Sequence, residues 1–148
     1  MTDQHWNMVW SMGVPDIDDQ HKLILGLLKS VGETAQLPDN GARSLASLRK
    51  FLENTEEHFA YEESVLERAE YPGTEGHKAD HARFVETVKN AIATLENFDG
   101  DAAALRETIK TVKDDLQNRF THHLVTFDMD YKWFLRDEGL SDPQSDMV

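Results

Sequence analysis

Two pairs of side chains raise the question of chemistry. His58 and Glu62 are four residues apart, and so are His77 and His81. At 3.6 residues per turn an i, i+4 pair projects from one helix face, one turn apart, so each pair is shaped to grip one cationic centre or two adjacent ones. A polar pair at an interface or on the surface has the same spacing, and one pair alone decides nothing. Histidine is also abundant: seven in 148 residues, with no cysteine. The missing cysteine removes disulfides, thiolate nucleophiles, zinc fingers and iron–sulfur clusters together. What remains is a nitrogen and oxygen donor set.

Such donors need elements to position them. Apolar residues recur at helical spacing along nearly the whole chain, with no sustained period-2 alternation. Ile17, Ile24, Leu28, Val31 and Ala35 form one stripe, and Leu45, Leu48, Leu52, Phe59, Leu66 and Ala69 a second. Phe84, Val88, Ala91 and Leu95 form a third, and Leu105, Ile109, Val112, Leu116, Phe120 and Phe127 a fourth. The breaks at 37–41, 71–74 and 98–101 carry Pro, Gly, Asn and Asp. Thr74 and Asp101 are the expected N-caps of the helices that follow. Short connections force antiparallel neighbours, so the pattern predicts an all-α, up-down-up-down four-helix bundle over residues 1–136. It includes an N-terminal arm with Trp6 and Trp10, and a polar tail, 137–148, follows it.

The stripes aim the donors inward. His77 and His81 continue the line of Phe84 and Val88 backwards, and His58 and Glu62 lie between Leu52 and Leu66. His21 sits three before Ile24, and His123 three after Phe120. An unpaired acid or imidazole buried there costs several kcal/mol, so something must satisfy it. A mutual hydrogen-bond network would do so, and so would a metal. Position along the bundle favours convergence. In an antiparallel pair, groups at one level lie equally far from the turn that joins them. The midpoint of His21 and His58 falls inside the first turn, and that of the 58/62 and 77/81 pairs close to Pro72-Gly73. The midpoint between the 77/81 pair and His123 with Asp128 falls just past Gly100. Four helices thus deliver donors to one layer.

Five imidazoles and two carboxylates suit iron, copper, manganese or zinc. Seven protein donors exceed one ion, so two ions bridged by carboxylates are expected. With a bridging hydroxide, the donors make about eleven bonds against about twelve for two octahedral ions. The one open position, in a dry core, suits a small neutral ligand such as dioxygen.

The segment 13–22, with Asp16, Asp18, Gln20 and His21, then His58-x3-Glu62, His77-x3-His81 and His123-x4-Asp128, resembles the hemerythrins, in particular the bacterial single-domain type. The resemblance covers roughly residues 6–134 and implies reversible dioxygen binding at two irons. His77, His81 and His123 would bind one iron, and His21 and His58 the other. Glu62, Asp128 and an oxo/hydroxo group would bridge them. Dioxygen would bind at the two-histidine iron, and no substrate would be turned over. Ile24, Leu25, Phe59, Phe120, Leu124 and Phe127, within a turn of the donors, are the expected oxygen pocket. One departure is Arg119, where hemerythrins usually carry Trp, at the rim of that pocket. His122 follows the polar line of Asp115 and Arg119 and, like His5, is expected in solvent. The five-residue step from His123 to Asp128 is about 140° around a regular helix, so a local irregularity re-aims Asp128 or it reaches in from the shoulder.

Composition bounds the partners. The formal net charge of −13, with 15 basic and 28 acidic residues, argues against nucleic acid and anionic membranes. No segment approaches the ~20 apolar residues of a membrane span. The first fifteen residues carry Asp3 and no Lys or Arg, so no secretory signal is read and a cytoplasmic, monomeric protein is expected. Its protein partner is not specified by the sequence. The alternatives to an oxygen carrier are an oxygen or iron sensor acting through a partner, and a di-iron oxidase, peroxidase or nitric-oxide enzyme. The Glu-x-x-His pairs of ferritin-like enzymes are not present among these donors, which favours binding over turnover.

Overall fold

A computed structural model describes residues 15–137. The expected N-terminal arm, with His5, Trp6 and Trp10, and the tail beyond Asp137 lie outside the described residues. The chain forms α1 (Pro15–Thr34), α2 (Asn40–Arg68), α3 (Thr74–Glu96) and α4 (Ala102–His123). A π-helical turn, Leu124–Asp128, then leads straight into α5 (Met129–Asp137). Among the described residues there is no strand, and no helix is long and apolar enough to cross a membrane. The all-α four-helix bundle expected from the sequence is therefore the observed architecture, with the fourth rod built from α4, the π-turn and α5.

The three connections, 35–39, 69–73 and 97–101, are all short, and each falls where the sequence carries turn residues. Asp101 caps α4, its carboxylate accepting the Ala104 N–H at 2.8 Å. Thr74 does not cap α3. Gly73 holds the cap position without a side-chain bond, and the Thr74 hydroxyl, already in the helix, donates to the Tyr71 carbonyl at 2.6 Å. A hydroxyl one residue inside the helix finds a carbonyl behind it instead of an orphan N–H ahead. At the end of α2, Glu70 turns left-handed (φ 55°), and the Tyr71 N–H returns to the Leu66 carbonyl at 3.1 Å, closing that terminus.

α1 packs on α2 and α4, and α3 packs on the same two helices, which closes the ring. Two apolar clusters fill it. The larger gathers Ile24, Leu28, Val31, Leu48, Phe51, Phe84, Val88, Ile109, Leu116 and Phe120. The smaller gathers Ile17, Leu66, Tyr131 and Leu135, with Tyr61, Tyr71 and Phe134 against them. Each fully buried aliphatic or Phe side chain contributes about 1.5–3 kcal/mol, so these clusters supply the driving force for folding. The stripes are followed closely: Leu45, Leu52, Ala69, Leu105 and Val112 are half-buried at the edges of the clusters, Ala91 is half-buried while its neighbour Ile92 takes the core position, and Phe127 is half-buried on the π-turn. Polar donors lie where the two clusters meet: Ile17 and Ile24 bracket His21, Phe59 and Leu66 bracket Glu62, and Leu124 and Tyr131 bracket Asp128.

Candidate metal centre

All seven donors meet in that layer, and none is more than 3% exposed. Candidate ligand atoms of Glu62, His77, His81, His123 and Asp128 lie within 4.8 Å of one another. Those of His21, His58 and Glu62 form a second group, so Glu62 is common to both. The i, i+4 pairs on α2 and α3 reach the layer by regular helix geometry. Asp128 reaches it through the π-turn: the wider π coil brings the fifth residue after His123 back to the facing side, where an α-helix would have rotated it away.

The two carboxylates divide their oxygens between the groups. Glu62 Oε1 lies 2.8 Å from His77 Nε2 and 2.9 Å from His81 Nε2. Glu62 Oε2 lies 3.4 Å from both His21 Nε2 and His58 Nε2. Asp128 Oδ1 is 2.9 Å from His77 Nε2 and 3.0 Å from His123 Nε2, while Oδ2 is 3.1 Å from His21 Nε2. Donors held about 2.1 Å from an ion at right angles to each other stand about 3.0 Å apart, so these separations are those of neighbouring ligands on octahedral ions. His58 Nε2, His123 Nε2 and both Asp128 oxygens are buried without a hydrogen-bond partner despite this proximity. Buried polar atoms seldom go unsatisfied. Atoms of this type, aimed at common points and unsatisfied by one another, fit a cation.

Several residues that hold the donors went unrecognised in the sequence. Gln20 Oε1 accepts from His58 Nδ1 at 2.6 Å, Glu63 Oε2 from His81 Nδ1 at 2.8 Å, and Asp80 Oδ2 from His123 Nδ1 at 2.7 Å. Each outward Nδ1–H bond fixes the tautomer whose Nε2 lone pair faces the centre. The Tyr131 hydroxyl, fully buried, donates to Glu62 Oε2 at 2.9 Å. A signal existed: Gln20, Glu63 and Asp80 are each one residue from a donor, and Tyr131 is three after Asp128. Polar neighbours of this kind are too common on helices to be singled out without coordinates.

Electrostatics follow from two acids in a dry core. Burial pushes the Glu62 carboxyl up, but His58, His123 and His21 outweigh it and hold it well below the usual carboxylate range. Burial and the Glu62 charge push Asp128 up, and His123 and His21 hold it down in turn. Burial lowers His21 and His77, yet contact with Asp128 and Glu62 raises both to about 9. His58 is lowered, burial outweighing its carboxylate neighbours. The layer therefore carries a strong demand for positive charge.

Three of the expected oxygen-pocket residues, Phe59, Phe120 and Phe127, stand against its imidazoles. Ile24, Leu25, Phe59, Phe120 and Leu124 are buried in the larger cluster. Phe59 stacks on His81 with ring centres 3.7 Å apart, and Phe120 stands edge-on to His21 at 5.8 Å. Phe127 stacks on His123 at 5.7 Å. A depression of about 200 Å³ between α1 and α2 reaches Gln20, Ile24 and His58. Arg119 is exposed and paired with Asp115 at 2.9 Å, at a groove between α3 and α4. His122 is exposed, as expected.

The same residues connect the chain to known proteins. A family model described as the hemerythrin HHE cation binding domain matches residues 12–123. The chain is 30% identical to a myohemerythrin of Theromyzon tessulatum over 127 residues, 86% of this chain and 89% of that protein. It is 28% identical to a myohemerythrin of Sipunculus nudus over the same shares. A bacteriohemerythrin of Stenotrophomonas maltophilia is 31% identical over 83 residues, 56% of this chain and 54% of that protein. No solved structure matches. Every candidate donor except Asp128 falls inside the segment matched by the cation-binding model, and the chain belongs to the hemerythrin family.

Proposed function

We propose that this protein binds dioxygen reversibly at a non-haem di-iron centre, for carriage, storage or delivery, and turns over no substrate. His77, His81 and His123 would hold one iron and His21 and His58 the other, with Glu62 and Asp128 bridging. One observation carries the reading: each carboxylate gives one oxygen to the three-histidine group and the other to the two-histidine group, as a bridge requires. The iron pair, when bound, supplies two electrons to dioxygen and takes them back on release.

The chain's own part is to hold, orient and exclude. Gln20, Glu63 and Asp80 fix three imidazoles with Nε2 inward, and Tyr131 steadies Glu62. Phe59, Phe120 and Leu124 keep water and protons from the reactive face, which favours return of dioxygen over its loss as a reduced product. The two-histidine side, having fewer protein donors, supplies the open position, and the α1/α2 depression reaches that side. Imidazole dominance and the absence of Glu-x-x-His pairs among the donors support binding over oxidative turnover.

The test is anaerobic loading with ferrous iron, followed by air and then vacuum. About two irons per chain and a visible charge-transfer band that comes with oxygen and leaves under vacuum are expected. Irreversible bleaching, or steady oxygen consumption with a reductant, would favour the enzyme, and uptake far below two irons would refute the centre.

A further inference from the structure

The imidazoles are not backed alike. His81 and His123 donate Nδ1–H to carboxylates, Glu63 at 2.8 Å and Asp80 at 2.7 Å. His58 donates to a neutral amide, Gln20, at 2.6 Å. A carboxylate acceptor draws the ring proton and stabilises positive charge on the ring, so the opposite nitrogen becomes a stronger donor; an amide does this weakly. Both carboxylate-backed rings belong to the three-histidine group, and the amide-backed ring belongs to the other. The outer acceptors therefore repeat the division made by the inner donors. The three-histidine side thus has one more imidazole and two carboxylate-backed rings, while Nδ1 of its third ring, His77, is buried without a hydrogen-bond partner.

We propose that Glu63, Asp80 and Gln20 grade the two halves of the centre, so that divalent cations load in order: the three-histidine half fills first and holds tightly, and the two-histidine half fills second and releases first. This rests on the metal-centre reading above. Access acts in the same sense, because the α1/α2 depression is bounded by Gln20 and His58 themselves, giving the weaker half a short route to solvent. The grading residues sit in the wall between centre and surface: Asp80 is 19% exposed and Glu63 25%. They can exchange carboxylate for amide at constant size without opening the core. Asp80 also accepts from Arg83 at 3.0 Å, a surface pair of little weight in folding.

The experiment is a cobalt(II) titration of the full chain after metal removal, followed by calorimetry and by the paramagnetically shifted histidine resonances. Wild-type protein should take up cobalt in two steps, with the shifted rings at one equivalent belonging to His77, His81 and His123. Glu63→Gln and Asp80→Asn should each weaken the first step by about 10–100-fold and leave the second nearly unchanged. Gln20→Glu should strengthen the second step and narrow the gap, so that at one equivalent the His58 ring is also shifted. Helical content by circular dichroism confirms that each variant is folded; should Asp80→Asn fail there, Glu63→Gln and Gln20→Glu carry the test. Equal affinities for both ions in wild type, or steps that the folded variants leave in place, overturn the grading while leaving the centre intact. Wild-type protein that binds no cobalt overturns the centre itself, and the grading with it.

Discussion

Removing one buried hydroxyl isolates the link between fold and centre. Tyr131 is 0% exposed, and its hydroxyl donates to Glu62 Oε2 at 2.9 Å. Tyr131→Phe deletes only that oxygen, since the ring keeps its place beside Ile17, Leu66 and Leu135 and edge-on to His77 at 5.1 Å. No cavity is made, so the loss is that of a hydrogen bond to a charged acceptor, about 1.5–3 kcal/mol. In the metal-free protein Glu62 Oε2 would keep only His21 and His58, each at 3.4 Å, and neither replaces a well-aligned donor. At about 2–4 °C per kcal/mol for a chain of this size, Tm should fall by about 3–12 °C. In the iron-loaded protein an ion takes over much of that oxygen's electrostatic need, so the loss should be smaller. Burial and the charges of Glu62 and Asp128 hold the Tyr131 phenol well above its usual range, so it remains a donor across neutral and mildly alkaline pH, and the effect should not vary there. Scanning calorimetry of stripped and reloaded protein reads both values. A stripped variant that melts with the wild type, or an equal loss in both forms, would refute the role assigned to the hydroxyl.

Protons and cations should compete for the layer. His21 and His77 titrate near 9 in the folded metal-free chain, against 6.5 unperturbed. A raised folded value stabilises fully below about 6.5 and is lost as pH rises through about 9, so the stripped protein should weaken across that window while the loaded protein does not. Cation uptake at neutral pH should accordingly release protons, seen by calorimetry in buffers of different ionisation enthalpy, and a proton-neutral uptake would contradict the assignment. Phe120→Ala, at a fully buried ring beside His21, should cost about 3–5 kcal/mol and accelerate autoxidation; an unchanged rate removes Phe120 from the oxygen pocket. Glu70→Gly relieves a left-handed backbone worth about 1–2 kcal/mol, less about 0.5–1 for glycine's unfolded freedom, and should raise Tm slightly; a lower Tm would show that Glu70 is not strained.

The fold and its donor layer were legible because both rest on helical periodicity. Ile17, Ile24 and Leu28 mark the face on which His21 must lie, and the short turns fix which levels meet. What the sequence concealed depends on interactions without a period. Asp80 is one step from His81 yet serves His123, on another helix, at 2.7 Å; no spacing rule couples them. Tyr131 reaches Glu62 across 69 positions of chain for the same reason. The step from His123 to Asp128 was the one place where regular geometry failed, and the structure answers it with a π-turn. Thr74 misled because Thr, Ser and Asp score alike as caps, whereas the chain's path decides which residue stands at the boundary.

A layer holding two charged carboxylates would ordinarily be a liability in the middle of a bundle. Here Glu62 and Asp128 are both held below the usual carboxylate range, so the core contains negative charge that something must match. Protons on His21 and His77 can match it, but they occupy the same nitrogens that a metal requires. The proposed pair of divalent cations would remove the conflict, since it would neutralise the acids and leave every imidazole in the neutral form that donates a lone pair. The apolar clusters on either side are built from residues that do not depend on this exchange. They set the helix spacing, and the spacing sets the donor separations near 3 Å. The polar layer is therefore held in a ligating geometry by packing that it does not itself provide, which is how a small bundle can keep a cation site preorganised at a point where its own electrostatics would push the donors apart.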